Sequence, residues 1–239
     1  MSPRTIAVTL LVALLLVGSS ATAGDFWGLK EGTPDLKTAG ELTFGPEGIL
    51  FVGDAKGAAV FAIDTGDRTG DPKSAKINVE ALNQKVAKAL KSGASDTQIN
   101  DLAVNPASGQ VYLSATAAGK PALLRVDSQG EVTPMELKNV RFSKAELPQA
   151  PEDKEVQRGR RRGNPRSESI TDLAFTDDGR LIVSGLSSAE APSSVRELGF
   201  PFSEDASATS VEIYHGAHGR VEDNRAIRTF VPFNINGKP

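Results

Sequence analysis

The chain contains no cysteine, so no disulfide can brace it, and burial with strand pairing must supply all of its stability. Aromatic residues make up only 5% of the chain, while 23 Gly and 14 Pro favour short strands separated by many turns. Neither charge sign dominates. A net charge of −3 with both signs interspersed argues against a general nucleic-acid binder. Beyond the first residues no run approaches the roughly 20 apolar residues that a membrane-spanning helix needs. There is no Gly-x-Ser-x-Gly elbow, no His-Glu-x-x-His, no phosphate loop and no dinucleotide fingerprint. The familiar hydrolase, zinc-protease and nucleotide-dependent classes are therefore without their usual signatures.

What is present begins with a targeting segment. Arg4 supplies a positive start, Ile6 through Val17 an apolar core, and Ala21-Thr22-Ala23 a small-x-small cleavage site. Residues 1–23 read as a signal peptide and the mature chain as starting at Gly24, periplasmic or extracellular after cleavage near Ala23. No Cys follows the apolar run, which argues against a lipid-anchored export signal.

One phrase then recurs three times. It reads Leu42-Thr-Phe-Gly-Pro-Glu-Gly-Ile-Leu-Phe-Val, Leu102-Ala-Val-Asn-Pro-Ala-Ser-Gly-Gln-Val-Tyr-Leu and Leu173-Ala-Phe-Thr-Asp-Asp-Gly-Arg-Leu-Ile-Val. Each copy is a short apolar strand, a turn of Pro or Asp with Gly, and a second apolar strand, the signature of a β-hairpin. An acid precedes the first Leu every time: Glu41, Asp101 and Asp172. Recurrence of one hairpin at long spacing indicates a propeller. The expected fold is all-β, a β-propeller of four-stranded antiparallel blades with about three blades present, the ring incomplete, and one inserted helix.

Third strands are expected at Ala59–Asp64, Ala122–Asp127 and Val211–Tyr214, and fourth strands around Ile77, over Val132–Leu137 and over Ile227–Phe233. These give blades at about 40–95, 96–142 and 168–235 within a domain spanning 24–239. The apolar positions Val79, Leu82, Val86, Ala89 and Leu90 predict an amphipathic helix over Asn78–Lys91, with Asn78 as its cap. Ser143-Lys-Ala-Glu146 has capping-box spacing, but Pro148 limits it to one turn. Pro148–Arg166 reads as a mobile charged loop, and Ser187–Ala208 as a polar insertion anchored by an apolar knot at Leu198–Phe202. Three blades do not close a ring of roughly 4–8. The expectation is a C-terminally truncated propeller; a half-propeller closing on a second copy is the alternative.

Asn100-Asp101-Leu-Ala-Val-Asn-Pro-Ala-Ser-Gly-Gln-Val-Tyr resembles repeats of the six-bladed propeller superfamily. That superfamily holds gluconolactonase/senescence-marker proteins, strictosidine-synthase-like proteins and NHL repeats, and the likeness suggests an incomplete member of an exported bacterial group. In lactonase-like members an Asn-Asp at a blade head ligates a divalent metal near the axis. The resemblance carries that role onto Asn100 and Asp101, with Glu41 as the counterpart of a first-blade glutamate. The equivalent pairs, Gly40-Glu41 and Thr171-Asp172, lack the Asn.

Glu41, Asp101 and Asp172 occupy one position in successive blades, just before the strand expected to line the central channel. Together they would suit Ca²⁺ or another hard divalent ion. Alternatively, each accepts backbone N–H bonds at its own blade head. His215 and His218 form a His-x-x-His pair that chelates a metal only if the chain turns between them. Arg158, Arg160, Arg161, Arg162 and Arg166 form the one basic run, suited either to a polyanion (surface polysaccharide, nucleic acid or anionic lipid) or to simple solvation. The function expected is non-catalytic: an exported propeller binding a partner protein or small ligand through the insertions at Asp64–Lys76, Pro148–Arg166 and Ser187–Ala208. A metal-dependent lactonase or esterase, with Asn100, Asp101, Glu41 and Asp172 around a Ca²⁺- or Zn²⁺-like ion, is the alternative. A polyanion or cell-envelope anchor acting through the arginine run is the third.

Overall fold

Each copy of the phrase becomes two antiparallel strands closed by a tight turn. The computed structural model describes residues 26–158, 161–189, 192–203, 206–211, 214–215, 219–221 and 225–233, so the expected signal peptide lies outside the described residues. After β1 (Lys30–Gly32), the first copy gives β2 (Leu42–Phe44) and β3 (Ile49–Asp54), followed by β4 (Ala59–Asp64). The β2–β3 turn passes through Gly48 at φ 73°, where a Cβ would stand 2.2 Å from the Asp67 carbonyl oxygen. Only glycine fits there.

β3 is buried along its whole length and β4 nearly so, because other sheets cover both of their faces. The outer edge of β4 therefore needs a partner, and the segment around Ile77 does not provide it. The chain instead crosses over through α1 (Leu82–Ala89) and builds a complete second sheet, β5 (Thr97–Val104), β6 (Val111–Ala117), β7 (Lys120–Val126) and β8 (Val132–Pro134). It then returns as β9 (Val140–Glu146), which pairs with β4 from Ala59↔Glu146 to Ile63↔Phe142. β1 closes the outside of this first blade through Lys30↔Phe142, giving the order β1-β9-β4-β3-β2. Ser143–Glu146 is thus strand rather than a helical turn.

A separate hairpin follows, β10 (Val156–Arg158) and β11 (Arg161–Gly163), replacing the loop expected over Pro148–Arg166. The third blade is β12 (Asp172–Phe175), β13 (Arg180–Leu186), β14 (Ser193–Gly199) and β15 (Ala206–Ser210), in that order. Its last two strands come from the stretch read as a polar insertion, not from Val211–Tyr214 and Ile227–Phe233. Polar residues hide β14: Ser193, Ser194 and Arg196 are all buried, so the apolar alternation that marks a half-buried strand is missing.

The fold is therefore mostly β, with one five-stranded and two four-stranded antiparallel sheets stacked as propeller-like blades in a ring that is not closed. β12 lies beside β2, and β2 beside β5, so the third blade sits against the first, on the side away from the second. Two apolar layers join the three sheets. Ile49, Phe51, Val60 and Ala62 meet Leu173, Leu181, Val183, Leu198 and Phe200 on one face of the first blade. Leu42, Leu50, Val52, Phe61 and Ile63 meet Ala103, Tyr112 and Leu123 on its other face. Phe51 stacks on Phe175 at 5.3 Å and meets Phe200 edge-on at 4.9 Å, so the knot at Leu198–Phe202 anchors the inter-blade core as expected. A third layer packs Leu113, Leu124 and Val126 against Val86 and Leu82 of α1, which covers the remaining face of the second blade. The helix is shorter than Asn78–Lys91, and its N-cap is Ala81 in a left-handed conformation rather than Asn78. Among the described residues no helix is long and apolar enough to cross a membrane.

The largest fully buried side chain is charged. Arg196 is 0% exposed and donates from Nε to Pro148 O (3.0 Å), from Nη1 to Ser169 O (3.2 Å) and from Nη2 to Leu186 O (2.7 Å). Burial pushes its guanidinium down to about 10, which still leaves it charged at neutral pH. Gly185 makes room for this clamp, since a Cβ there would stand 2.1 Å from Ser169 O. Arg196→Ala should strand three buried carbonyls and lower the unfolding free energy by about 3 kcal/mol in urea titration. An unchanged midpoint would show that the clamp contributes nothing.

Candidate site at the heads of the inner strands

The innermost strands of the second and first blades are joined by side chains that precede the repeated Leu. β5 carries a bulge between Ile99 and Asp101, which leaves Asn100 out of register with β6 and re-aims its side chain. Asn100 Nδ2 donates to Ala39 O at 2.7 Å and to Thr116 Oγ1 at 3.0 Å. Asp101 Oδ2 accepts the Leu42 amide at 2.7 Å, and Ser114 Oγ donates to Gly40 O at 2.5 Å. The carboxylate does accept a backbone N–H, but it is the neighbouring blade's rather than its own.

The same pair of bonds recurs on the third blade at the same offsets. Thr171, in the place of Asn100, donates its hydroxyl to Ile227 O, and Asp172 Oδ2 accepts the Phe230 amide at 3.0 Å. Ala39 and Leu42 are three residues apart, as are Ile227 and Phe230. The Thr229 hydroxyl adds a bond to Asp172 Oδ2 at 2.7 Å, and Arg228 pairs with Glu168. The segment expected to be an outer fourth strand is therefore held at the inner head of the blade, as Ala39–Leu42 is held by the second.

Glu41 breaks the pattern. The Leu173 amide that corresponds to Leu42 and Phe230 turns to its own Asp172 Oδ1 at 2.9 Å, and Glu41 Oε2 is buried with no hydrogen-bond partner. A Cβ at Gly53 would lie 3.2 Å from that oxygen and 3.0 Å from Ile170, so the first blade closes over it with a bare backbone. Burial, with smaller contributions from the nearby negative charges of Asp101 and Asp172, pushes the Glu41 carboxyl up to about 7.

The structure thus draws Glu41, Asp101 and Asp172 together at one end of the inner strands, with Asn100 beside them. Asn100 and Asp101 are nevertheless committed to backbone partners, and burial disfavours the charged form of Glu41. Among the described residues no group of three His, Cys, Asp or Glu is arranged to hold a metal ion. His215 lies in a short strand, Tyr214–His215, paired with Arg220–Val221, while His218 lies outside the described residues. In the arginine run, Arg158 and Arg161 are cross-strand partners in the β10–β11 hairpin and Arg160 lies outside the described residues. Arg162 pairs with Glu155 at 3.5 Å, and Arg166 donates to Pro151 O at 2.5 Å. Sequence reasoning did not single out Thr171, whose only signal is that it shares the position of Asn100 before the acid.

No protein family and no curated protein matches the chain. Among solved structures it is similar to the PQQ-bound form of an aldose sugar dehydrogenase from Streptomyces coelicolor, at 15% identity and a TM-score of 0.23. The match covers 72% of this chain and 62% of that one, so the chain spans less than two thirds of the length of that enzyme. So low a TM-score carries no argument about fold detail or chemistry.

Two measurements check the site. A carboxyl raised from 4.5 to about 7 in the folded state binds a proton there that the unfolded chain has released, so this group's contribution to stability falls as pH rises from about 4.5 to 7 and is flat above. Glu41→Gln should remove that loss, making the variant more stable than wild type by about 2–3 kcal/mol at pH 8 and little different at pH 4. Equal pH profiles would mean that Glu41 is solvated. Separately, Asp101→Ala should speed hydrogen exchange at the Leu42 amide about tenfold or more and leave Phe230 unchanged, with Asp172→Ala doing the reverse.

Proposed function

We propose that this chain is an exported β-propeller-type binding scaffold of the six-bladed superfamily, non-catalytic, which presents insertions from a rigid stack of sheets to a partner. The observation that carries the reading is the use made of Asn100 and Asp101. The pair that the lactonase resemblance would place on a metal instead holds Ala39 and Leu42 of the adjacent blade. The side chains nearest the axis act as structure. What remains for recognition is the periphery, where among the described residues the β10–β11 hairpin forms a separate two-stranded sheet.

A second reading keeps one observation in its favour. Glu41 brings an unpartnered buried oxygen next to two further carboxylates, and a divalent ion displacing its proton would convert the latch residues into ligands of a Ca²⁺-type, lactonase-like centre. Ca²⁺ titration followed by thermal melting, beside assays on γ-lactones and aryl esters, separates the two. The scaffold reading expects no Ca²⁺-dependent rise in Tm and no turnover, with Asp101→Ala lowering Tm through the lost inter-blade bond. Metal-dependent hydrolysis that disappears in Asp101→Asn while the melting curve is kept would establish the enzyme instead.

A further inference from the structure

The second blade departs from the other two at one place in the repeat. Leu42 and Leu173, the first Leu of their copies, are 6% and 5% exposed, and Phe44 and Phe175 two residues on pack against the same apolar layers. The corresponding Leu102 and Val104 are 48% and 52% exposed. Leu102 pairs with Leu113 and Val104 with Val111 across β5 and β6. Cross-strand partners share a face, so both lie on the side of the sheet that α1 covers. α1 packs on Leu113, Leu124 and Val126 and leaves the inner edge of that face open.

Basic side chains frame this opening. Residues 73–91, which end the crossover and form α1, hold Lys73, Lys76, Lys85, Lys88 and Lys91 against one acid, Glu80, in a chain whose net charge is −3. All five lysines are exposed, and none enters an ion pair among the described residues. Asp71 Oδ1 is taken by the Lys73 amide at 3.2 Å, and Lys85 Nζ donates to Gly130 O at 3.3 Å. The crossover passes against the β5–β6 turn that follows Val104. A Cβ at Gly109 there would stand 2.6 Å from Ala75 and 2.9 Å from Pro72, so the Lys73–Lys76 stretch lies at that end of the opening. From Lys88 and Lys91 the chain continues through the turn Ala94–Asp96 into the start of β5, at the opposite end. Unpaired charges of one sign beside uncovered aliphatic side chains complement a partner that is both acidic and apolar.

We propose that this face of the second blade is a docking site for an acidic protein segment, with apolar side chains on Leu102 and Val104 and carboxylates on Lys73, Lys76, Lys88 and Lys91. This names the partner's chemistry within the scaffold reading and rests on it. The crossover belongs to Asp64–Lys76, one of the insertions expected to carry recognition. Leu102 and Val104 are two residues apart on one strand, about 7 Å, which is the spacing of alternate side chains on an extended peptide. A bilayer surface fits less well, because the apolar face of α1 is already buried on the sheet. A sulfated or phosphorylated polymer would engage the lysines and leave the aliphatic pair uncovered.

The test titrates the full mature chain with a fluorescent glutamate-rich peptide carrying two leucines two positions apart. A copy with serine for both leucines, phosphatidylglycerol vesicles and a heparin-derived sulfated oligosaccharide serve as parallel arms. Wild type should bind the leucine peptide, and the serine copy at least about fivefold more weakly. Leu102→Thr with Val104→Thr keeps β-branched side chains on the strand and should weaken binding about fivefold with Tm unchanged. Replacing Lys73, Lys76, Lys88 and Lys91 together by Gln should weaken it at least about tenfold. The same change at Lys30, Lys37, Lys56 and Lys138, exposed around the first blade, should alter it less than about twofold. Equal losses in the two quadruple variants, or equal binding of the two peptides, overturn the proposal. Tighter binding to vesicles or to the sulfated oligosaccharide overturns the choice of a protein partner. Self-association of the chain that disappears in the Thr pair overturns it in favour of a second copy. Lactone turnover in the earlier assays would sink the scaffold reading without touching this result, so the two failures are distinguishable.

Discussion

A carboxylate that accepts the main-chain N–H of an adjacent blade is the contact on which this arrangement depends. Apolar layers hold the sheets together, yet burial is non-directional and cannot set how one inner strand slides past the next. β2 is only three residues long and has little pairing of its own with which to fix its position. Asp101 and Asn100 fix it, through bonds to Leu42 and Ala39 that a shift of one residue would break. Charge-assisted bonds of this kind contribute about 1.5–3 kcal/mol each, enough to choose one register among several. Two further carboxylates do similar work elsewhere. Asp67, 8% exposed, accepts from Asn105, Ser108, Gln110 and Tyr112 and ties the crossover after β4 to the β5–β6 turn. Asp54 accepts the amides of Lys37, Thr38 and Gly57. In a chain without cysteine, buried carboxylates placed on backbone donors take a fastening role that disulfides have in other chains.

The hairpins were legible because alternation and turn chemistry lie within a dozen residues. Leu42–Val52, Leu102–Leu113 and Leu173–Val183 each form the two strands expected of them. What was not legible depends on partners distant in sequence. β9 has a modest apolar pattern of its own and becomes a strand because β4, buried on both faces, offers an open edge. β14 reads as polar because its inward residues include Arg196, whose solvation is replaced by three carbonyls from three other segments. The acids before each repeated Leu were visible as a pattern, but their hydrogen-bond partners were not. Nothing local says that Asp101 reaches Leu42 rather than its own turn.

Glu41 is the instructive exception within that pattern. It has the position and nearly the chemistry of Asp101 and Asp172, but its longer side chain folds back over Gly53, and the amide it would have taken is satisfied by Asp172. The first and third blades then lack the bond that joins the second to the first. Their contact rests on aromatic packing around Phe51, Phe175 and Phe200, on Ile170 and on the Arg196 clamp. Burial, and then the charges of Asp101 and Asp172 beside it, disfavour ionisation of such a group and push it up to about 7. One missing donor thus accounts for both the unpartnered oxygen and the displaced acidity.

The same bonds show that the two ends of the stack are physically different. On the second blade, α1 occupies the place where another sheet would lie, while the apolar side chains of Leu102 and Val104 on the inner strand stay exposed, at 48% and 52%. On the third blade, Thr171 and Asp172 already hold residues 227–230 as a blade holds the head of its neighbour, and Val231 and Phe233 beyond them are exposed. One end is finished by a helix whose apolar face matches the sheet; the other presents a latched strand head with unburied side chains. The two described ends therefore differ in kind: an apolar helix face covers the second blade, while two side-chain-to-backbone bonds hold residues 227–230 on the third.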